Sequence, residues 1–348
     1  MSLFRPGAGA RTATLRHNPL NQVTAAVERI TDPTGQTLIR KELRRPTQPG
    51  LGPWGASTDP RHWNYWRREL EVYQDKELHL QLNDAGLVLP EAEVEEHASG
   101  AVLYLEDIKG LAGTEFALAD HAALARACGR WQSRPAPDRP WTSTGFLRQY
   151  STTRDVPWQL LEDDDAWHQP LVADNWPPVL RTAWARLVAH RHELLSLTEQ
   201  LPRARCHLDL WVCNAIRRPA GEIALLDWAF TGDGALGEDI GNHIPDAVFD
   251  LFWPAERLPE LAETCIDNYL EGLREGGWRG DPHQVRLAVM ASAVKYAWLL
   301  PNLLGRAAEK SHQAYHQQAD SQHLFHQRGQ ALAFVADWCA QALNSSPR

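Results

Sequence analysis

The 348-residue chain is 43% hydrophobic and 23% charged, the balance of an ordinary folded protein, and long enough for two domains or one two-lobed unit. A net charge of −9 argues against a nucleic-acid binder, which would carry a basic patch, and no unbroken apolar run approaches the ~20 residues that span a bilayer. The start, MSLFRPGAGARTATLRHN, lacks the apolar core of a signal peptide, so residues 1–17 read as a loosely ordered tail and the chain as cytoplasmic. Five cysteines, odd in number and without C-x-x-C, fit free thiols in a reducing compartment. Fifteen tryptophans, some in the run WNYW, predict large apolar packing surfaces.

In chain order, NQVTAAVERI and QTLIRKEL flank DPTG, a turn signal, and predict a β-hairpin. A Pro- and Gly-rich loop follows over residues 46–60. RHWNYWRRELEVYQDKEL (residues 61–78) reads as one helix opened by Asp59-Pro60. GLVLPEAEVEE and GAVLYLEDI read as two more strands, completing an antiparallel sheet with one inserted helix. From about residue 115 the pattern turns helical, beginning with ALADHAALARACGRWQS. A Pro-rich stretch (135–140) and an acidic loop (162–165) lead to a predicted long helix over 178–199. Short strands and turns occupy 203–240, and helices are expected near 258–275, 283–300 and 312–342.

The chemistry concentrates in 203–240. CHLDLWVCN gives H-x-D-x-x-x-x-N, followed by a Gly-containing turn, the apolar strand EIAL and then Asp227. Phosphoryl transfer to an alcohol needs few protein groups, because the transition state is loose and positioning does most of the work. Asp209 is the candidate base for the attacking hydroxyl. Asn214 and Asp227 are candidate Mg²⁺ ligands, supplying the hard oxygens that Mg²⁺ takes alongside water and phosphate. His207 is suited to support the loop by hydrogen bonds.

The stretch CHLDLWVCNAI…EIALLDWAFTGDGALGED resembles the aminoglycoside phosphotransferase family, a branch of the protein-kinase-like fold. The family pattern is H-G-D-x-x-x-x-N, an I-D-W or I-D-F element, and a later G-x-x-x-x-D. The resemblance implies an α+β, two-lobed protein-kinase-like fold. A small antiparallel-sheet N-lobe would occupy 18–106, and a larger helical C-lobe with the catalytic loop and substrate pocket 107–345. It makes Asp209 the catalytic base, Asn214 and Asp227 the magnesium ligands, and Asp239 the brace of the catalytic loop. Leu208 stands where the family commonly has Gly, compatible with the loop if its φ is ordinary. Lys41 in TLIRKEL resembles the lysine that contacts the α- and β-phosphates of ATP, and Glu69 the helix glutamate behind it. Glu69 and Glu71 point about 200° apart on a helix, so one of them faces Lys41; Glu69 is favoured. LYLEDI, with Glu106 and Ile108, resembles the hinge whose main chain holds adenine. NPLNQVT takes the place of the phosphate-covering loop, with Asn21, Gln22 and Thr24 in place of glycines.

The cofactors implied are ATP and Mg²⁺, and the partner a small-molecule hydroxyl acceptor, with no nucleic acid and no membrane; oligomeric state is left open. The acceptor is either an aminoglycoside or other antibiotic, inactivated as resistance, or a metabolic sugar or amino alcohol. A catalytically inactive nucleotide-binding regulator is the alternative from another class. Asp163 and Asp164 in the acidic loop, and Asp246 and Asp250 after the motif, are candidate substrate contacts. Tyr296 and Trp298 in KYAWLLPNLL read as core. His312, His316, His323 and His326 form a His-rich stretch that suits half a metal site or, equally, a solvated helix face.

Overall fold

The computed structural model describes residues 9–135, 138–315 and 317–345. The N-lobe is built on a five-stranded antiparallel sheet. Its strands are β1 (Arg11–Thr14), β2 (Thr24–Thr31), β3 (Thr37–Arg44), β5 (Ala92–His97) and β6 (Gly100–Glu106), in the order β1-β2-β3-β6-β5. The expected hairpin is β2–β3. Asp32 closes its turn by accepting hydrogen bonds from the backbone N–H groups of Thr34 (2.8 Å) and Gln36 (2.9 Å), the turn-forming habit of Asp. β1 is a correction to the loose tail expected over 1–17: Arg11 to Thr14 pair with Thr31 to Glu28. Residues 1–8 of that tail lie outside the described residues.

The predicted helix over 61–78 is two helices, α1 (Arg68–Gln74) and α2 (Lys76–Ala85), and neither begins at Asp59-Pro60. The cause is Arg68, which is fully buried. Its guanidinium donates to the carbonyls of Pro60 (2.9 Å), His62 (2.6 Å), Trp63 (2.7 Å), Trp141 (2.8 Å) and Ala229 (3.1 Å). Three of those carbonyls belong to residues 60–63 and are turned toward the guanidinium, so a helical ladder there has lost its acceptors. Asp75 then caps α2 through the N–H groups of Glu77 and Leu78.

A short parallel pairing joins β4 (Leu87–Val88) to β10 (Ile223–Leu225). That small sheet continues through β9 (Ala215–Arg217) to β7 (Leu111–Ala112), so the chain entering the C-lobe is stitched to the chain leaving the catalytic loop. The C-lobe is helical: α3 (Leu118–Gln132), α4 (Phe146–Thr152), the single turns α5 (Asp164–Trp167) and α6 (Pro170–Ala173), then α7 (Leu180–Ala189) and α8 (Arg191–Gln200). The long helix expected over 178–199 is therefore broken at His190, whose φ of −103° and ψ of 11° leave the helical range. β8 (Arg203–Cys206) pairs with β11 (Gly232–Ala235), and α9 (Glu238–Phe249), α10 (Leu258–Glu275), α11 (Pro282–Ser292) and α12 (Leu299–Arg306) follow.

α3 and α10 cross through two glycines. A Cβ on Gly129 would lie 2.2 Å from the carbonyl of Tyr269, and one on Gly272 would lie 2.0 Å from that of Arg126. The stretch Pro282–Arg306 is long and apolar enough to cross a bilayer by composition, but 78% of its most apolar window is buried inside the C-lobe. Residues 312–319 correct another expectation. They form a hairpin, β12 (His312–Ala314) with β13 (Gln317–Ala319), before α13 (Ser321–Ser345). The hairpin is tied to the C-lobe by its tip. The Tyr315 N–H donates to Asp250 (2.9 Å), and the Tyr315 ring meets Trp211 and Phe252. Four free cysteines are buried and the fifth, Cys213, is partly so.

Candidate active site

β8 and β11 hold the catalytic loop between them, and Asp239, in the first turn of α9, closes it from below. One Asp239 oxygen accepts from the His207 N–H (2.7 Å) and the other from the Leu208 N–H (2.7 Å). Gln132 donates to the same carboxylate (2.6 Å), and Gln132 in turn accepts from the Tyr269 hydroxyl. Burial raises the Asp239 pKa, and these donors oppose the rise. His207 is fully buried and its tautomer follows from its neighbours. Nε2 lies 2.9 Å from the Leu226 carbonyl and must donate; Nδ1 accepts from the Asp209 N–H at 3.3 Å. Burial holds its pKa down to about 4, so the ring stays neutral.

Leu208 does not keep an ordinary φ. It sits at +66°, in the left-handed region where the family's usual Gly is at ease. The strain, about 1–2 kcal/mol, is offset by burial: Leu208 is 0% exposed and packs on Gly234. A Cβ on Gly234 would come within 2.9 Å of Leu208 Cδ2. The chain thus carries a side chain at the common glycine position and a glycine opposite it.

Asp209 and Asn214 face each other across the loop. Asn214 Nδ2 donates to the Asp209 carbonyl (2.9 Å) and carboxylate (3.1 Å), which commits the amide nitrogen and leaves Oδ1 as the donor to a cation. Burial pushes the Asp209 carboxyl up to about 7; Lys295 opposes the rise, and Asp227 and Asp246 add to it. Asp227 lies two residues beyond β10 with φ +57°, a backbone turn that aims its carboxylate across the cleft. There it meets Lys41 of β3 at 2.8 Å, and Lys41 also pairs with Glu69 of α1 at 2.6 Å. Glu71, the fallback partner, instead pairs with Arg67. Burial works against the charge on Lys41, but the two carboxylates outweigh it and raise its pKa. Burial raises Glu69, and the same ammonium opposes that rise. Asp227, 44% exposed, is held low: burial pushes it up but Lys41 outweighs burial. Hard oxygens from Asn214 and Asp227, one amide and one carboxylate, suit Mg²⁺ shared with phosphate and water.

The remaining predicted residues fall in three groups. Asn21 and Gln22 lie against the 50–64 loop: Asn21 Oδ1 accepts from Val23 N–H (3.0 Å) and Asn64 Nδ2 (3.2 Å), and Gln22 Nε2 donates to the Leu51 carbonyl (2.8 Å). Thr24 opens β2 at an irregularity in its pairing with β3. Glu106 ends β6 and pairs with Arg218, and Ile108 is buried just beyond. Asp163 is spent capping α5, and Asp164 forms an ion pair with Arg181 (2.7 Å) at the surface. Asp246 lies 4.0 Å from the Lys295 ammonium, and burial pushes its carboxyl up to about 6. Asp250 accepts from Tyr315 N–H and lies 3.5 Å from Arg328.

The His-rich stretch does not form one helix face. His312 is buried in the hairpin, with Nδ1 against Ser321 Oγ (2.8 Å) and Nε2 against the Arg306 carbonyl (3.0 Å); His316 lies outside the described residues. Among the described residues, no group of three or more His, Cys, Asp or Glu is placed to hold a metal.

Several site residues went unread in the sequence. Lys295 did carry a signal, a single charge in the apolar run LAVMASAVKYAW, and a buried lysine is rare unless paired. His243 donates from Nδ1 to the Leu210 carbonyl (3.2 Å) and accepts from His121 at 2.9 Å, stiffening the residue next to Asp209. Arg68 ties the turn after Asp227 to the N-lobe through the Ala229 carbonyl. Neither His243 nor Arg68 has a local pattern to betray it.

A sheet lobe and a helical lobe, meeting where a strand lysine reaches a carboxylate of the opposite lobe, define a protein-kinase-like small-molecule kinase fold. The family model described as a phosphotransferase enzyme family matches residues 57–286, and the chain belongs to that family. Choline kinase from Cryptosporidium parvum is similar in fold at 12% identity and a TM-score of 0.51, with 96% of this chain and 90% of that one covered. Amicoumacin kinase hAmiN, solved with AMP-PNP, Ca²⁺ and Ami, is 16% identical over 97% of this chain and 89% of that one, with a TM-score of 0.49. An aminoglycoside phosphotransferase, APH(3'')-Id from Streptomyces rimosus, solved with ADP and streptomycin, is 18% identical over 79% and 91%, with a TM-score of 0.44. No curated protein matches the chain.

Proposed function

We propose that this chain transfers the γ-phosphoryl group of ATP to a hydroxyl of a small molecule in the cytoplasm. The observation that carries the reading is the Lys41 bridge. One ammonium, held by Glu69 at 2.6 Å, reaches Asp227 of the other lobe at 2.8 Å, and a fixed cation in the cleft is suited to contact the α- and β-phosphates of ATP. Asn214 Oδ1 and Asp227 would hold Mg²⁺, which when bound neutralises charge building on the phosphates. Asp209 accepts the proton of the attacking hydroxyl as its oxygen bonds to the γ-phosphorus. The bond from that phosphorus to the bridging oxygen breaks, and ADP leaves. Asn214 fixes the carboxylate's orientation, and the His207–Asp239 frame fixes the loop that presents it. Glu106 to Ile108, at the join of the lobes, would offer main-chain groups to adenine.

The test is ADP release from ATP and Mg²⁺ across aminoglycosides, sugars, amino alcohols and hydroxy acids. Acceptor-dependent ADP release supports the reading. Tight ATP binding with no ADP formed from any acceptor or from water would instead make the chain a nucleotide-binding regulator.

A further inference from the structure

The acceptor side of the cleft carries two cations that share one ring. Tyr150, on α4, has its ring centroid 4.2 Å from the Arg154 guanidinium and 5.6 Å from the Lys295 ammonium. Lys295 is 5% exposed, and Asp246, at 4.0 Å, is at the limit of an ion pair with it. Arg154 sits in a box of three aromatic rings: Tyr150 and Trp298 at 4.2 Å each, and Trp54 at 5.3 Å. No carboxylate pairs with it among the described residues.

Rings that hold a guanidinium flat leave its N–H edge free for a planar oxyanion. Two donors in this box lack acceptors: Arg154 Nε and Trp298 Nε1 are both buried, and neither finds a hydrogen-bond partner. Buried donors left so are destabilising and uncommon, and these two belong to side chains in contact, the Arg154 guanidinium lying 4.2 Å from the Trp298 ring centroid. The walls come from both sides of the cleft. Trp54 belongs to the loop whose carbonyl accepts from the Gln22 N–H (3.2 Å), and Trp298 directly precedes α12. The carboxylates that could meet an amine are engaged, Asp250 by Arg328 and the Tyr315 N–H, Asp246 by Lys295. Arg154 is the cation on this side that no carboxylate pairs with among the described residues.

We infer that the acceptor carries an oxyanion, a carboxylate or a phosphate, in addition to the hydroxyl it presents to Asp209. Arg154 and the Trp298 indole N–H bind that oxyanion, and Lys295 adds positive potential beside it. This rests on the phosphotransferase reading above and narrows it: an acceptor whose only charges are amines meets the wrong sign.

The experiment uses four probes on related scaffolds: gluconate, glucose 6-phosphate, glucose and glucosamine. Binding to the Mg²⁺–ADP-loaded protein is measured by calorimetry, and turnover by ADP release with ATP, for the natural chain, Arg154→Met and Arg154→Lys. Gluconate or glucose 6-phosphate should bind at least about tenfold more tightly than glucose, and Arg154→Met should reduce that preference roughly 10- to 100-fold, the worth of a charge-assisted bidentate contact. Arg154→Lys, which keeps the charge but not the fork, should recover more of a phosphate preference than of a carboxylate one, so it separates the two sources. Preference for glucosamine or glucose, or an anion preference that survives Arg154→Met in a protein of unchanged circular dichroism, overturns the inference. Anion binding lost in Arg154→Met but with no ADP from any acceptor keeps the anion site and removes the phosphotransfer reading. ADP formed only with neutral or amine acceptors does the reverse.

Discussion

The catalytic loop and the acceptor side of the cleft are built on opposite terms. Around Asp209 the loop's own polar groups fix one another: Asp239 takes two backbone N–H groups and Gln132, His207 spans Asp209 N–H and the Leu226 carbonyl, and Asn214 holds Asp209. Across the cleft, Arg154 and Trp298 keep buried donors without acceptors, and Lys295 stands 4.0 Å from its nearest carboxylate. A reaction common to many acceptors needs a rigid frame, whereas recognition of one acceptor needs groups still able to bond. The loop is where function is shared within a family, and the loosely satisfied rim is where members would differ.

Breaking the rigid side should have the largest effect. Asp239→Ala leaves two buried backbone donors and the Gln132 amide without their acceptor, so we expect a loss of about 3–5 kcal/mol in urea-unfolding stability, beyond a typical substitution. A fall under about 1 kcal/mol would show that the loop is not braced there. Next, Lys41→Met removes the cation between the lobes, and kcat/KM for ATP should drop on the order of 10²-fold or more, the scale of losing one preorganised charge contact. A drop confined to twofold would take Lys41 out of phosphate binding.

The pH dependence follows in size. A base must be ionised, and burial lifts Asp209 to about 7, so kcat/KM should rise about tenfold per pH unit up to about pH 7 and level above it. The stability sign is opposite. A raised carboxyl contributes stability below its unfolded pKa that is lost as pH rises through the folded value. Measured without metal or nucleotide, Asp209→Asn should therefore be more stable than the natural chain above pH 7, and the two should converge below pH 4. A difference that grew toward low pH would contradict burial as the cause.

The smallest effect is the sharpest about the loop. Leu208→Ala keeps the left-handed strain and loses packing, whereas Leu208→Gly loses the packing and the strain. We expect Gly to be the better replacement by about 1 kcal/mol, against the usual order of the two residues. Alanine equal to or better than glycine would mean the +66° φ carries no cost.

How legible these features were depends on where their determinants sit. Residues 203–237 read correctly as strand, loop and turn because motif and framing strands are local, whereas α9, which begins at Glu238, was not expected. The β2–β3 hairpin was legible through DPTG, and Lys41 with Glu69 through the family resemblance, the helix period only setting Glu69 apart from Glu71. Residues 61–67 were not, because their carbonyls turn to Arg68, a tertiary demand that overrides helical propensity. The 312–319 hairpin failed for a related reason. Its polar sequence has no period to read, and its tip is fixed by Asp250 and by the rings of Trp211 and Phe252. Leu208 hid its φ because Gly234, far along the chain, makes room for it. Arg154 meets Trp54 and Trp298 only in the fold, so no window of sequence could have shown that box.

The most direct test of phosphoryl transfer by Asp209 is to follow the phosphorus. With ATP, Mg²⁺ and the best acceptor of the panel, ³¹P spectra should show ADP and an acceptor phosphate ester growing in equal amounts. Asp209→Asn, with its fold and ATP affinity retained, should slow that growth about 10³-fold, the range for removal of a general base. An ester that forms at the natural rate in Asp209→Asn would contradict the account.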